Sequence, residues 1–219
     1  AQMAQQIDQA YIGNYVITND VPDGMHNGML PMFLTMSAYV GAMIAAMQLV
    51  QAYKQNRGKA SRFKLFGYVQ LSALIIAVVS SIFAVGISFL IADLNSDILL
   101  QIFGQQILTY FVAFNFCAIF TFFIGEAGMI LNIPVLLTQT IANGATMPRE
   151  MMDGYFYVAS YITPMYHAVQ ANVAVMFGST AQSPFVWGLV LVGLGALFIN
   201  FLIVTFLHKK EPTANQIIQ

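Results

Sequence analysis

The chain has 219 residues, of which 8% are charged and 58% hydrophobic, with a mean hydropathy of +0.72. An average soluble protein carries roughly 25% charge, so a water-soluble globular enzyme is excluded as the default, and 18 Phe, 10 Tyr and 13 Met exclude a solvated disordered coil. A net charge of -1 offers no basic face to nucleic acid, and the single cysteine, Cys117, excludes a disulfide framework or a cysteine-based zinc site.

Residues 1–28 are polar and rich in turn signals: Asn19-Asp20, Pro22-Asp23-Gly24 and Asn27-Gly28. Beyond them, charge-free apolar runs long enough to cross a bilayer, which takes about 20 residues, predict five spans. They are 27–53, 65–92, 98–125, 127–148 (apolar to Ile141) and 184–207. Helices are expected rather than a barrel, because the runs lack strict alternation. Lys54, Arg57, Lys59, Arg62 and Lys64 all fall between the first two spans, and Lys209 and Lys210 follow the last. With five spans these cations share one side, which the positive-inside rule makes cytoplasmic. The expected protein is therefore a multi-pass cell-membrane protein with its N-terminus outside and residues 209–219 as a cytoplasmic tail. Arg149 is the exception, in an outer segment. A chain that starts outside, here at Ala1, needs an earlier signal or span, so a preceding part is expected.

The segment 142–183 is too long and apolar for an ordinary loop. It holds Gly144, Pro148, the charged group Arg149-Glu150 with Asp153, an apolar stretch broken by Pro164, and Gly178-Ser179-Thr180. A sixth crossing would separate the C-terminus from the basic loop, so an outer re-entrant or interfacial pair of short helices is expected. Such irregular backbone at membrane depth must pack on protein or line a wet cavity.

Few residues carry chemistry. Small-residue ridges (Ser37, Gly41 and Ala45; Ser80, Ala84 and Ser88) read as close helix packing, or as a dimer seam. Amides within the spans (Gln48, Gln70, Gln105, Asn115, Asn132, Gln139, Asn200) read as interhelical bonds, the other reading being a polar path. Glu126 sits at the turn between the third and fourth spans, either reaching water or contacting a cytoplasmic partner. The loop Lys54–Lys64 serves orientation and lipid headgroups, or docks a motor subunit. His26 and His208 fall on opposite sides, so no histidine cluster awaits a metal, and no cofactor is expected. Cys117, mid-span, should be inert. There is no Walker A, G-x-S-x-G or H-E-x-x-H motif, so no nucleotide hydrolysis is expected of the chain itself. An intramembrane enzyme would rest on Glu126 or His167 alone, and no enzyme is expected.

The order Gly125-Glu126-Ala127-Gly128, an apolar span to Gln139, Asn143-Gly144-Ala145-Thr146-Met147-Pro148, Met152 to Phe156, then Ile162-Thr163-Pro164-Met165-Tyr166-His167-Ala168-Val169 resembles the C-terminal membrane part of the phage infection protein (YhgE/Pip) family, within the type-2 ABC transporter permeases. Gly144, Thr146, Pro148, Phe156, Pro164, Met165, Tyr166 and Val169 match. Ala145 stands where that family has a second glycine, Met147 where it has an aromatic, and Asn172-Val173 where a basic residue follows. The resemblance implies an all-α fold of five transmembrane helices plus an outer hairpin over 142–183, preceded by a further helix and an ectodomain whose end is 1–28. It implies a dimer, homo- or hetero-, with a separate cytoplasmic ATPase near Lys54–Lys64, exporting a hydrophobic or envelope-related cargo. Asn143, Gly144, Thr146, Pro148, Pro164, Met165, Tyr166 and His167 would then shape the outer gate. Related proteins of this layout look like phage receptors or type VII secretion accessory subunits, so a non-transporting scaffold or receptor stands as the alternative.

Overall fold

A computed structural model describes residues 24–92, 94–178 and 180–208. The N-terminal segment 1–23, Asp93, Ser179, and the tail with Lys209 and Lys210 lie outside the described residues. The described chain is helical: α1 Met25–Gln55, α2 Arg62–Ile91, α3 Leu99–Ile124, α4 Gly128–Ile141, α5 Gly154–Ile162, α6 Pro164–Phe177 and α7 Ser183–Phe206, with short 3-10 turns at Ser96–Ile98, Gly125–Ala127 and Arg149–Met151. Among the described residues, four helical runs are long and apolar enough to cross a membrane: Met25–Gln55, Arg62–Ile91, Ser96–Ile141 and Ser183–Phe206.

The run Ser96–Ile141 is not one rod. At Gly125 the backbone turns to φ 86°, a conformation that glycine adopts without strain, and ends α3. The chain then doubles back. Asn132 Nδ2 on α4 donates to the Cys117 carbonyl on α3 at 3.1 Å. Gly128 lies so close to α3 that a Cβ there would meet the Phe120 carbonyl oxygen at 2.3 Å. The expected break between the third and fourth runs therefore exists. The fourth run, however, yields only the 14 residues of α4, about 21 Å of helix against a hydrocarbon core of about 30 Å. At the other terminus α1 begins at Met25, so Asn27-Gly28 lies inside the helix: the Asn27 N–H bonds to the Gly24 carbonyl at 3.1 Å, closing the first turn.

α3 is the axis of the bundle, with α1, α2, α4, α6 and α7 all packed on it. Its buried residues surround it on every side, from Ile102 and Tyr110 through Phe114 and Cys117 to Phe122. Of the first small-residue ridge, Gly41 of α1 faces the Tyr110 ring, which a Cβ would meet at 3.3 Å, and Ala45 is buried, whereas Ser37 is exposed. On α2 the buried stripe is Ala73, Ala77, Ser81, Val85 and Ser88, spaced at about one turn. The opposite face shows Leu71, Ile75, Ile82, Phe83 and Leu90 outward.

Gln70, Gln139, Asn172 and Asn200 donate between helices, whereas Gln105 and Asn115 donate within α3, to Thr109 Oγ1 and the Phe111 carbonyl. Gln70 Nε2 donates to Asn115 Oδ1 at 3.0 Å, and Asn200 Nδ2 to the Asn115 carbonyl at 2.8 Å, tying α2 and α7 to α3. Gln139 Nε2 donates to the Tyr39 hydroxyl at 2.6 Å, and Asn172 Nδ2 to Thr35 Oγ1 at 3.0 Å, tying α4 and α6 to α1. In an apolar surrounding an unpaired amide costs several kcal/mol, so these bonds fix helix rotation as well as proximity.

Candidate functional site

Two places gather polar side chains: the hairpin formed by α5 and α6, and the end of the bundle where the basic loop lies.

The hairpin is dictated locally. Asp153 caps α5, its side chain accepting from the Gly154 N–H at 2.8 Å. Pro164 cannot continue a helix and forces the preceding residue out of the helical region. Thr163 is accordingly extended (φ -105°, ψ 148°), and its hydroxyl donates back to the Ala159 carbonyl at 2.7 Å. Pro164 then opens α6 as its first residue, and Gly178 in the left-handed region (φ 62°) closes it. The turn residues Tyr161 and Ile162 line a cavity with Phe116 of α3 and with Gly195 and Ala196, midway along α7. An apolar cavity of about 310 Å³ opens on one side of Ile162, between α3, α4 and α5. Another of about 350 Å³ opens on the other side, toward α7.

Above the turn sits a cluster around Arg149. Its guanidinium is stacked between two rings, 3.9 Å from the centroid of Tyr161 and 3.6 Å from that of Tyr166, and Nη2 donates to the Ser160 carbonyl at 3.1 Å. Planar Arg stacks on ring faces as Lys cannot. His167 Nε2 lies 3.0 Å from the Tyr161 carbonyl, which only accepts, so Nε2 carries the proton. His167 Nδ1 then faces Gly188 of α7, where a Cβ would stand 2.4 Å away. Asn143 is buried, and its Oδ1 accepts from the Ala145 N–H at 2.8 Å. That turn holds Gly144 at φ 78°, so close to α6 that a Cβ would meet Gln170 Nε2 at 2.6 Å and Tyr166 Cε2 at 2.8 Å.

The residues expected at the gate thus separate. Asn143, Gly144, Tyr166 and His167 are brought together around Arg149. Pro164 is buried at the turn, and Met165 is buried in the main core, its sulfur 3.9 Å from the Thr140 hydroxyl. Thr146 and Pro148 stay exposed on the loop. Arg149, Tyr161 and Gln170 were not anticipated as members. The available signal was that Arg149 violated the charge sorting, in a segment with Tyr155, Tyr157, Tyr161 and Tyr166 around it.

At the other end, the loop cations reach helix C-termini, where the helix dipole attracts positive charge. Lys54 Nζ donates to the Thr121 carbonyl of α3 at 3.3 Å. Arg62 donates to the Thr205 carbonyl of α7 at 3.0 Å, and Arg57 to the His208 carbonyl at 3.4 Å. Lys59 and Lys64 remain exposed. Glu126 Oε1 accepts from Gln51 Nε2 at 2.8 Å. His208 is buried against Tyr53, ring centroids 5.5 Å apart. Burial, then Arg57 and Lys54, push its pKa from 6.5 down to about 4. Among the described residues no group of three or more His, Cys, Asp or Glu is placed to hold a metal ion.

No family model matches the chain. It is 25% identical over 230 residues to "Uncharacterized protein YhgE" of Bacillus subtilis (strain 168), a match covering 95% of this chain. The chain resembles YhgE along nearly its whole length. It spans 28% of that longer protein, so the match concerns one part of YhgE.

Proposed function

We propose that this chain is the membrane part of an exporter of the type-2 ABC permease kind, working as a dimer and moving a hydrophobic or envelope-related cargo outward, with ATP hydrolysed by a separate cytoplasmic subunit. In this reading α1, α2, α3 and α7 cross the bilayer and α4 completes a shorter crossing from the basic side. That side faces the cytoplasm, the N-terminus lies outside, and α5–α6 dips in from the outer face and returns. The chain performs no bond chemistry of its own. The observation that carries the reading is the α5–α6 hairpin, whose turn shares a cavity with the middle of α7 and has an apolar cavity on either side of Ile162. Simple anchoring gives no reason for a short helical pair at that depth, whereas a gate beside an apolar path does. Gly144 against Tyr166 and Gln170, and Gly188 against His167, hold the first turns of α6 to the α4 end and to α7, and Arg149 pins the two arms beside the turn. The similarity to YhgE supports the kinship but not the transport step.

The test is purification of the full-length protein from its native membrane. A co-purifying ATPase whose turnover falls on Lys59→Glu with Lys64→Glu, the two exposed loop cations, supports the proposal. Recovery with no nucleotide-binding partner and no ATP turnover favours the second reading, a scaffold or receptor such as a secretion accessory subunit. One observation speaks for that reading: Gln70, Asn132, Gln139, Asn172 and Asn200 donate to neighbouring helices of the same chain rather than to a common channel. Labelling of a tag placed after Gln219 by an impermeant reagent outside intact cells would remove both the orientation and the exporter.

A further inference from the structure

A cavity of about 310 Å³ opens at the basic end, between α1 and the α3–α4 turn. Its walls grade in polarity along α1. Met47 and Val50 line the part toward the bundle middle, and Gln51 and Lys54 follow at the helix end. Thr121 and Glu126 line it from the other side. Two opposite charges therefore share one cavity. Lys54 and Glu126 feel each other's charge across the cavity but form no direct ion pair among the described residues. Each is held by a neutral partner instead: Lys54 Nζ on the Thr121 carbonyl at 3.3 Å, Glu126 Oε1 on Gln51 Nε2 at 2.8 Å. An ammonium has three donors and a carboxylate about four acceptor positions, so both retain capacity. Gly125 keeps the space clear, because a Cβ at this residue would stand 3.0 Å from Lys54 Nζ.

We propose that this cavity binds the headgroup of an aminophospholipid, its phosphate on Lys54, its primary ammonium on Glu126, and the start of its acyl region along Met47 and Val50. A phosphoethanolamine group carries the two opposite charges two carbons apart, matching a cavity that presents both signs without joining them. The primary ammonium can donate hydrogen bonds to a carboxylate; the quaternary ammonium of a choline headgroup has no N–H to donate. The apolar wall on the bundle side favours a headgroup that arrives with its chains in the bilayer over a free ion. The proposal rests on the helices crossing a bilayer and is independent of whether the protein transports anything.

The test uses the full chain, purified in detergent and returned to nanodiscs or examined by native mass spectrometry with added dioleoyl lipids. Wild-type protein should retain phosphatidylethanolamine at least ~10-fold better than phosphatidylcholine or phosphatidylglycerol, a margin of about 1.4 kcal/mol. Glu126→Gln should erase the preference for ethanolamine over choline, and Lys54→Gln should weaken both lipids alike. Equal retention of ethanolamine and choline lipids by the wild type overturns the proposal without recourse to any variant. So does a Glu126→Gln protein that elutes normally and keeps the preference. Glycerophosphoethanolamine binding as tightly as the intact lipid would assign the cavity to a soluble ligand and overturn the lipid assignment.

Discussion

Replacing Gly128 by alanine tests the α3–α4 hairpin on which the rest of the architecture turns. The added Cβ would stand 2.3 Å from the Phe120 carbonyl oxygen, 2.4 Å from its carbon and 2.7 Å from the Thr121 nitrogen. All three are backbone atoms of α3, so no side chain can swing aside. Normal carbon contacts lie near 3.5–4.0 Å, which leaves the helices roughly 1 Å or more too close. Forced overpacking of this kind costs about 1–3 kcal/mol. Moving α4 outward also stretches the Asn132–Cys117 bond from 3.1 Å, and an interhelical bond in a membrane contributes about 0.6–1.7 kcal/mol. A combined loss of about 2–4 kcal/mol corresponds to a fall in the unfolding midpoint on the order of 5–15 °C for a chain of this size. Cys117 supplies the assay, being the only cysteine in the chain and fully buried at this interface. Its reaction with a thiol-activated dye during a temperature ramp in detergent reports the opening of α3 from α4. Gly104→Ala is the control: nothing lies within 4 Å of its added methyl, so helix propensity alone predicts no loss and a gain of up to about 1 kcal/mol. A Gly128→Ala midpoint matching wild type would refute the tight turn, and with it the reversal at Gly125.

Three further outcomes follow from the same geometry. Asn132→Leu removes the donor to the Cys117 carbonyl, and the thiol assay should register a loss of about 0.6–1.7 kcal/mol. Arg149→Lys keeps the charge but not the planar stack on Tyr161 and Tyr166; about 1–2 kcal/mol of hairpin stability should go, read as faster proteolytic cutting within 144–151, and cutting at the wild-type rate would count against the stack. Because His208 has a folded pKa of about 4 against an ordinary 6.5, its neutral form favours the fold. That contribution is fully present above pH 6.5 and is lost as pH falls toward 4. His208→Phe, which keeps a ring on Tyr53, should flatten the decline in thermal midpoint over that window, and an unchanged slope would show that other groups cause it.

The long apolar helices were legible because runs of this length and apolarity favour helix, and their ends were legible because charge and turn residues interrupt the apolar runs. The runs beginning near 27, 65, 98 and 184 each fall within a few residues of α1, α2, α3 and α7. Pro164 announced the hairpin turn through its own stereochemistry. The extent of α4 was not legible: apolar residues continue to Ile141, and composition does not distinguish a full crossing from a helix of 14 residues that stops short. The site was legible only in part. Asn143 and Gly144 belong to a turn whose logic is local, and turn chemistry can be read from sequence. Arg149 acts through Tyr161 and Tyr166, and that stack exists only once the hairpin has folded back. Its lone misfit with the charge sorting marked it as unusual without saying what it touched. Likewise the amides were expected to pair between helices, but which helix each one reaches depends on rotations that no run of residues encodes.

The basic loop shows how one set of charges meets two requirements. Cations beside a span set its orientation regardless of where their side chains settle. In the folded chain Lys54, Arg57 and Arg62 also donate to carbonyls at the ends of α3 and α7, that of Thr121 being shared with the Gly125 N–H. Among the described residues, Lys59 and Lys64 are the exposed cations of this face, whereas the other three are engaged at helix ends. Of those ends, that of α3 matters most. The carbonyl held by Lys54 belongs to Thr121, five residues from Phe116, or about 7.5 Å along the axis. Phe116 lines the apolar cavities on both sides of the hairpin turn. Lys54 and the hairpin cavities therefore meet the same helix, α3, within two turns of each other.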